Sequence, residues 1–253
     1  MNATFQTRLE NFYLKFRYLL FKNQLQKKDF SQRKLLYTNN FETLNDFDVH
    51  DKEFYNDNWV WFSKDKIHLT NNGLSISCDY DRKVHTSWQG TRMALYSSGM
   101  VSTRNKVMFP NGLWIVNAKT CRSWCAIWLL KNDYNVEGYE KKQIIPEIDI
   151  VEAFGNKGYV KQTVHYGYSD TRYKTKWQGT SDLFKCDNKF HDYGVECLPN
   201  GYNFYIDGIL TSKFRSTDPE FVSNEPNYLI LNNAADVIKE NTEFVIKSIK
   251  FYE

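Results

Sequence analysis

The sequence predicts an all-β protein, a two-sheet β-sandwich carrying an N-terminal helical extension. Three observations carry that expectation. From about residue 35 the chain reads as many short apolar segments broken by turn signals, the spacing of sandwiches. Its 253 residues, 42% hydrophobic and 17% aromatic, suit one large domain with a sizeable core. Helical periodicity is confined to residues 5–25. The expected organisation is therefore an extension over residues 1–34 and a sandwich over residues 35–253.

In the extension, Phe5, Leu9, Phe12, Phe16, Leu19 and Leu20 recur at helical spacing, with Arg8, Lys15, Arg17 and Lys22 among them. Such a basic amphipathic helix either lies on an anionic membrane surface, meets a protein partner, or docks on the sandwich. Residues 1–34 hold eight basic and two acidic side chains, a net of +6, while the remainder holds 25 basic and 28 acidic, a net of −3. The basic pI of about 8.4 therefore comes from the extension, and no nucleic acid is expected in a site on the sandwich. Charged residues interrupt the N-terminus, so it lacks the pattern of a secretion signal, and no apolar run is long enough to cross a membrane as a helix.

The strands follow in order. Residues 66–69 and 74–78 flank Asn71-Asn72-Gly73 and read as a hairpin. Residues 195–198 and 202–206 flank Asn200-Gly201, and Asp207-Gly208 leads on to residues 209–214. The alternating residues 245–251 complete the set. Five cysteines, at 78, 121, 125, 186 and 197, do not describe a disulfide framework and read as free core thiols. Alternation places Cys121 and Cys125 on one strand face, too far apart to pair unless the chain turns between them.

The chemistry concentrates in Glu147-Ile148-Asp149-Ile150-Val151-Glu152. Alternation puts Glu147 and Asp149 on one face and would send Glu152 into the core, where an unpaired carboxylate is very costly. One extra residue near Ile150–Val151, a β-bulge, turns Glu152 back beside the other two. Three crowded acids repel one another, so at least one should hold a proton at neutral pH. Such a cluster does acid–base work, binds a metal, or both.

This run resembles the bulged active-site signature Glu-x-Asp-x-x-Glu of glycoside hydrolase family 16. The resemblance extends to Ser98–Thr103, to Trp124–Leu130 with Cys125 in place of Pro, and to Thr163–Gly167. It continues through Phe190–Cys197, with Cys197 in place of Trp, Phe204–Gly208 and Tyr228–Asn232, in family order over roughly residues 35–253. It implies a jelly roll of the concanavalin A-like type. It also implies an endo-acting, retaining β-glycoside hydrolase with Glu147 as nucleophile, Glu152 as acid/base and Asp149 between them. Trp124 and Trp128 share a face and are candidate sugar platforms, with the core as the alternative for each. His165 and Asn232 are candidates to bond the acids or a sugar hydroxyl. Trp88, Arg92, Arg104 and Trp177 lie in segments that could line the cleft, and His191 is expected to support its hairpin.

Departures bear on what the family implies. Ile115 and Asn117 replace the usual Glu and Arg, which puts the polar pairings of that strand in doubt. Ser248 stands where many members have Asp, which weakens a structural calcium site; no cofactor is required by the implied chemistry. Pro146 replaces the Gly common in β-1,3-glucanases, so the polysaccharide could be a β-glucan, a galactan or a bacterial exopolysaccharide. A transglycosylase shares the same covalent intermediate. A non-catalytic carbohydrate-binding protein on this fold typically loses a motif carboxylate, and all three are present. An extracellular or cell-envelope location is expected from the function.

Overall fold

The computed structural model describes residues 3–55, 60–131, 146–154, 159–166, 176–179, 184–185, 188–218, 221–222, 225–234 and 240–253; for 3–7, 154, 176–178 and 184–185 it describes the backbone alone. Among the described residues the strands form two sheets. The first runs, neighbour to neighbour, through Ile209–Arg215, Gly201–Ile206, Phe190–Leu198, Gly112–Lys119, Thr242–Tyr252, Gly73–Ser87, Gly90–Ser98, Val60–Phe62 and Glu53–Phe54. The second runs through Lys176–Gly179, Tyr159–Tyr166, Glu147–Phe154, Trp124–Lys131, Asn227–Ala234, Met100–Ser102 and Asp48–Val49. The pairings are antiparallel except that of Val60–Phe62 with Gly90–Ser98, which is the sequence-predicted sandwich.

Period-two patterning builds the core between the sheets. In Gly112–Lys119, Trp114, Val116 and Ala118 are fully buried, while Ile115, Asn117 and Lys119 face outward. From the second sheet Ile127, Ile148, Val164 and Leu231 meet them, in one cluster with Phe244 and Phe251. Burying each such side chain contributes about 1.5–3 kcal/mol. Gln162 ties the sheets together: its fully buried Oε1 accepts from the Thr211 and Ser212 hydroxyls, both at 2.9 Å. Asn117, which departs from the family pattern, donates to Asp192 at 2.7 Å. His191 bonds Asp207 at 2.7 Å and supports its hairpin as expected.

The hairpins turn where the sequence indicates. Asp207 and Gly208 both adopt positive φ, 51° and 76°, between the paired Ile206 and Ile209, the requirement of a type I′ turn. Asn71 and Asn72 form the loop before Gly73, whose φ is +107°. A Cβ at Gly73 would lie 2.2 Å from the Ile246 carbonyl oxygen, so this close approach of two strands needs glycine. Among the described cysteines, Cys78, Cys121, Cys125 and Cys197 are free; Cys186 lies outside the described residues. Cys121 is not on the strand that carries Cys125. The chain turns before Trp124, and the Cys121 amide donates to the Cys125 sulfur at 3.4 Å.

The N-terminal helix spans Ala3–Phe21, ending four residues earlier than the periodicity predicts. It packs on the edge strand Ile209–Arg215. The face that docks is not the row of large apolar residues. Leu14 and Tyr18 are buried, and the Asn11 side chain both donates to the Lys213 carbonyl and accepts from the Lys213 amide, each at 2.7 Å. An edge strand presents unpaired backbone groups, which an amide satisfies and a phenyl ring cannot. Leu9, Phe12, Phe16, Leu19 and Leu20 therefore point to solvent. The following segment also packs on the sandwich, through Arg33 on Glu196 and the Lys28 amide on the Gly208 carbonyl at 2.8 Å.

Candidate active site

The acidic strand Glu147–Phe154 lies inside the second sheet, between Trp124–Lys131 and Tyr159–Tyr166. Its register shows the bulge directly. Asp149 pairs with Thr163 and Glu152 with Lys161, three steps on one strand against two on the other. On the opposite side Val151 pairs with Ile127 and Asp149 with Trp128, which leaves Ile150 as the extra residue. Ile148, Ile150, Val151 and Ala153 are fully buried in the core. Two consecutive inward residues return Glu152 to the face that carries Glu147 and Asp149.

On that face the three acids differ. Glu147 and Glu152 are half-buried, whereas Asp149 is buried, with 3% of its surface exposed. The His165 Nε2 lies 3.3 Å from Asp149 and 4.0 Å from Glu147. The Trp124 indole Nε1 donates to Glu152 at 3.1 Å. Trp124 and Trp128 are half-buried on the acids' side, with small Ala126 between them, while Cys125, Ile127 and Leu129 fill the core. Asn232 is buried and accepts from the Trp128 indole at 2.8 Å, so it positions a tryptophan rather than contacting a carboxylate. Trp177 pairs with His165, which pairs with Glu147, placing its position in the same cross-strand row; its side chain lies outside the described residues.

The remaining candidates are placed by other contacts. Trp88 is 74% exposed at the turn of the long hairpin Gly73–Ser87/Gly90–Ser98. Arg92 stands over the Phe54 ring at 5.3 Å. Arg104 stands over Tyr228 at 5.9 Å, in a cluster against which Trp128 packs. Three residues not anticipated from the sequence bear on the site. Tyr55 sets its ring edge-on to Trp124 at 6.2 Å, and Gln89 holds the Phe54 backbone before it through bonds of 2.6 and 3.0 Å. Lys161 pairs with Glu152, and its charge pulls the Glu152 pKa down. Alternation from His165 through Thr163 would have found Lys161; nothing local marks Tyr55.

Burial dominates the electrostatics. It raises the Glu147 pKa to about 8, with the Asp149 charge adding to the shift and His165 opposing it. Burial and then the Glu152 charge push Asp149 well above its usual range. Glu152 is raised by burial, against the Trp124 hydrogen bond and the charges of His165 and Lys161. The cluster titrates as a unit and retains protons at neutral pH. Asp149, the most buried, is the cheapest place for one, and its protonation removes a charge that raises Glu147.

A pH dependence follows. Between the ordinary value of 4.5 and about 8, folded Glu147 keeps a proton that the unfolded chain has released. Stability therefore falls as pH rises through that window. Glu147→Gln should melt progressively higher than the wild type from about pH 5 to about pH 8. Parallel melting curves across the window would contradict the shift. Glu147, Asp149 and His165 also bring ligand atoms within 4.8 Å of one another. On the last strand Ser248 pairs with Asn117, contributing no carboxylate there.

A two-sheet sandwich with paired carboxyls on a bulged strand, flanked by indoles, defines a glycoside hydrolase. The family model of glycosyl hydrolases family 16 matches residues 54–242, and the chain belongs to that family. A β-glucanase of Rhodothermus marinus is 27% identical over 201 residues, 75% of this chain and 68% of that protein. An endo-β-1,3-glucanase from Pyrococcus furiosus superposes with a TM-score of 0.72 at 20% identity, covering 90% of this chain and 98% of that one. The laminarinase from Flavobacterium sp. UMI-01 gives 0.69 at 22% identity, covering 87% and all (100%) of the respective chains. The last two likenesses are of fold.

Proposed function

We propose that the chain is an endo-acting, retaining β-glycoside hydrolase that cleaves a β-glucan by double displacement. The observation that carries this reading is the bulged strand, which sets Glu147 and Glu152 on one face about the buried Asp149, with Trp124 on Glu152 and His165 between Glu147 and Asp149. Retention needs two carboxyls about 5–5.5 Å apart, a spacing that two long glutamate side chains flanking Asp149 on one face can reach by leaning together. The β-glucanase relative supports the choice of substrate class.

In the first step the Glu147 carboxylate attacks the anomeric carbon. The glycosidic C–O bond breaks, and the leaving oxygen takes the proton of Glu152. In the second, Glu152, now a carboxylate, takes a proton from water while the water oxygen displaces Glu147. Asp149 in its protonated form withdraws one of the charges that raise Glu147, and it is the ionised fraction of Glu147 that attacks. The indole of Trp124 fixes the Glu152 carboxyl and presents a ring face to a sugar. Family 16 enzymes generally need no cofactor, and the carboxyls suffice for each proton transfer.

The test is product analysis on a panel of β-1,3- and mixed-linkage β-glucans, galactans and bacterial exopolysaccharides. A β-glucan should be cut to fragments of intermediate length early in the reaction. Proton NMR of fresh product should show the β-anomer first. An initial α-anomer would mean inversion, and release of single sugars from chain ends would exclude endo action.

A further inference from the structure

We propose that the outward face of the helix Ala3–Phe21 is a docking surface for an anionic lipid bilayer, independent of the chemistry in the cleft. Leu9, Phe12, Tyr13, Phe16, Leu19 and Leu20 are each more than half exposed, from 51% to 71%. At 3.6 residues per turn they occupy one continuous arc of roughly 120°. The opposite arc holds Asn11, Leu14 and Tyr18, which fasten the helix to the edge strand Ile209–Arg215. The apolar face is thus presented outward by a fixed support.

Charge selects the occupant. Arg8 and Lys15 border the apolar arc on one side and Arg17 on the other, within a segment, residues 1–34, whose net charge is +6. An apolar stripe edged by cations matches the boundary between acyl chains and anionic headgroups. Among the described residues no helix is long and apolar enough to cross a membrane, so this one lies along the surface, about 28 Å of it. The helix covers an edge of the first sheet, while the carboxyls open from the second. Docking therefore leaves the cleft accessible.

The experiment is co-sedimentation of the full-length chain with phosphatidylcholine vesicles, with and without phosphatidylglycerol. Binding should require phosphatidylglycerol and weaken with added salt. The double variant Phe12→Ser/Phe16→Ser should lose at least about tenfold in partitioning, with melting temperature unchanged because both rings are exposed. Lys15→Glu/Arg17→Glu should abolish the preference for phosphatidylglycerol. Absence of binding to the anionic vesicles, or equal binding to phosphatidylcholine alone, overturns the proposal. So does self-association of the full chain, seen by analytical ultracentrifugation, that the Phe12/Phe16 variant abolishes, since the face would then belong to a second copy.

Discussion

Glu147→Gln and Glu152→Gln should each leave a folded protein that has lost nearly all activity. Both side chains are half-buried on the outer face of the second sheet, and the amide preserves their shape. Losing general acid–base help removes about 10²–10⁴-fold of rate. Losing the nucleophile removes the covalent route itself. The two roles separate by rescue. With an aryl glycoside whose leaving group needs no proton, the Glu152 variant should still form the glycosyl-enzyme, and azide should restore turnover with retained configuration. The Glu147 variant should instead give the azide of inverted configuration. Either variant keeping more than about a tenth of wild-type activity, with an unchanged circular dichroism spectrum, would be incompatible with these roles.

Gly73→Ala should destabilise the fold strongly for a single added methyl. Its φ of +107° disfavours an L side chain, and the new Cβ would sit 2.2 Å from the Ile246 carbonyl oxygen. That oxygen belongs to the central strand Thr242–Tyr252 and cannot swing away like the end of a long side chain. Backbone strain of about 1–3 kcal/mol and overpacking of similar size combine here. For a domain of this size that lowers the melting temperature by about 10 °C. Gly90 has a similar φ, +104°, but open space around its Cβ position, and serves as the control. Equal melting of the Gly73 and Gly90 alanine variants would show that the strand contact yields.

The bulge was legible in the sequence because the alternative was physically expensive: strict alternation buries Glu152, and nature rarely buries a lone carboxylate. The shared face of Trp124 and Trp128 was legible from spacing, since they stand four apart on one strand. The bond of Asn232 to the Trp128 indole was not legible, because it depends on the register of Asn232 with Ala126. Tyr55 was not legible at all: its contact with Trp124 is made across the fold, and an isolated tyrosine carries no local signature. The helix was legible as amphipathic, but periodicity ranks faces by apolarity. It could not register that an amide at position 11 would match the unpaired backbone at Lys213 better than any ring.

That amide has a consequence for the open edge of the first sheet. The two Asn11 bonds to Lys213 occupy one amide and one carbonyl on the outermost strand of the first sheet, as a further strand would. With Asn11 in place, a second molecule's strand cannot extend the sheet at that point. The helix thus acts as a cap against edge-to-edge growth, and what guards the sandwich from templating its own aggregation is a residue far from the cleft, in a segment that the family match does not reach.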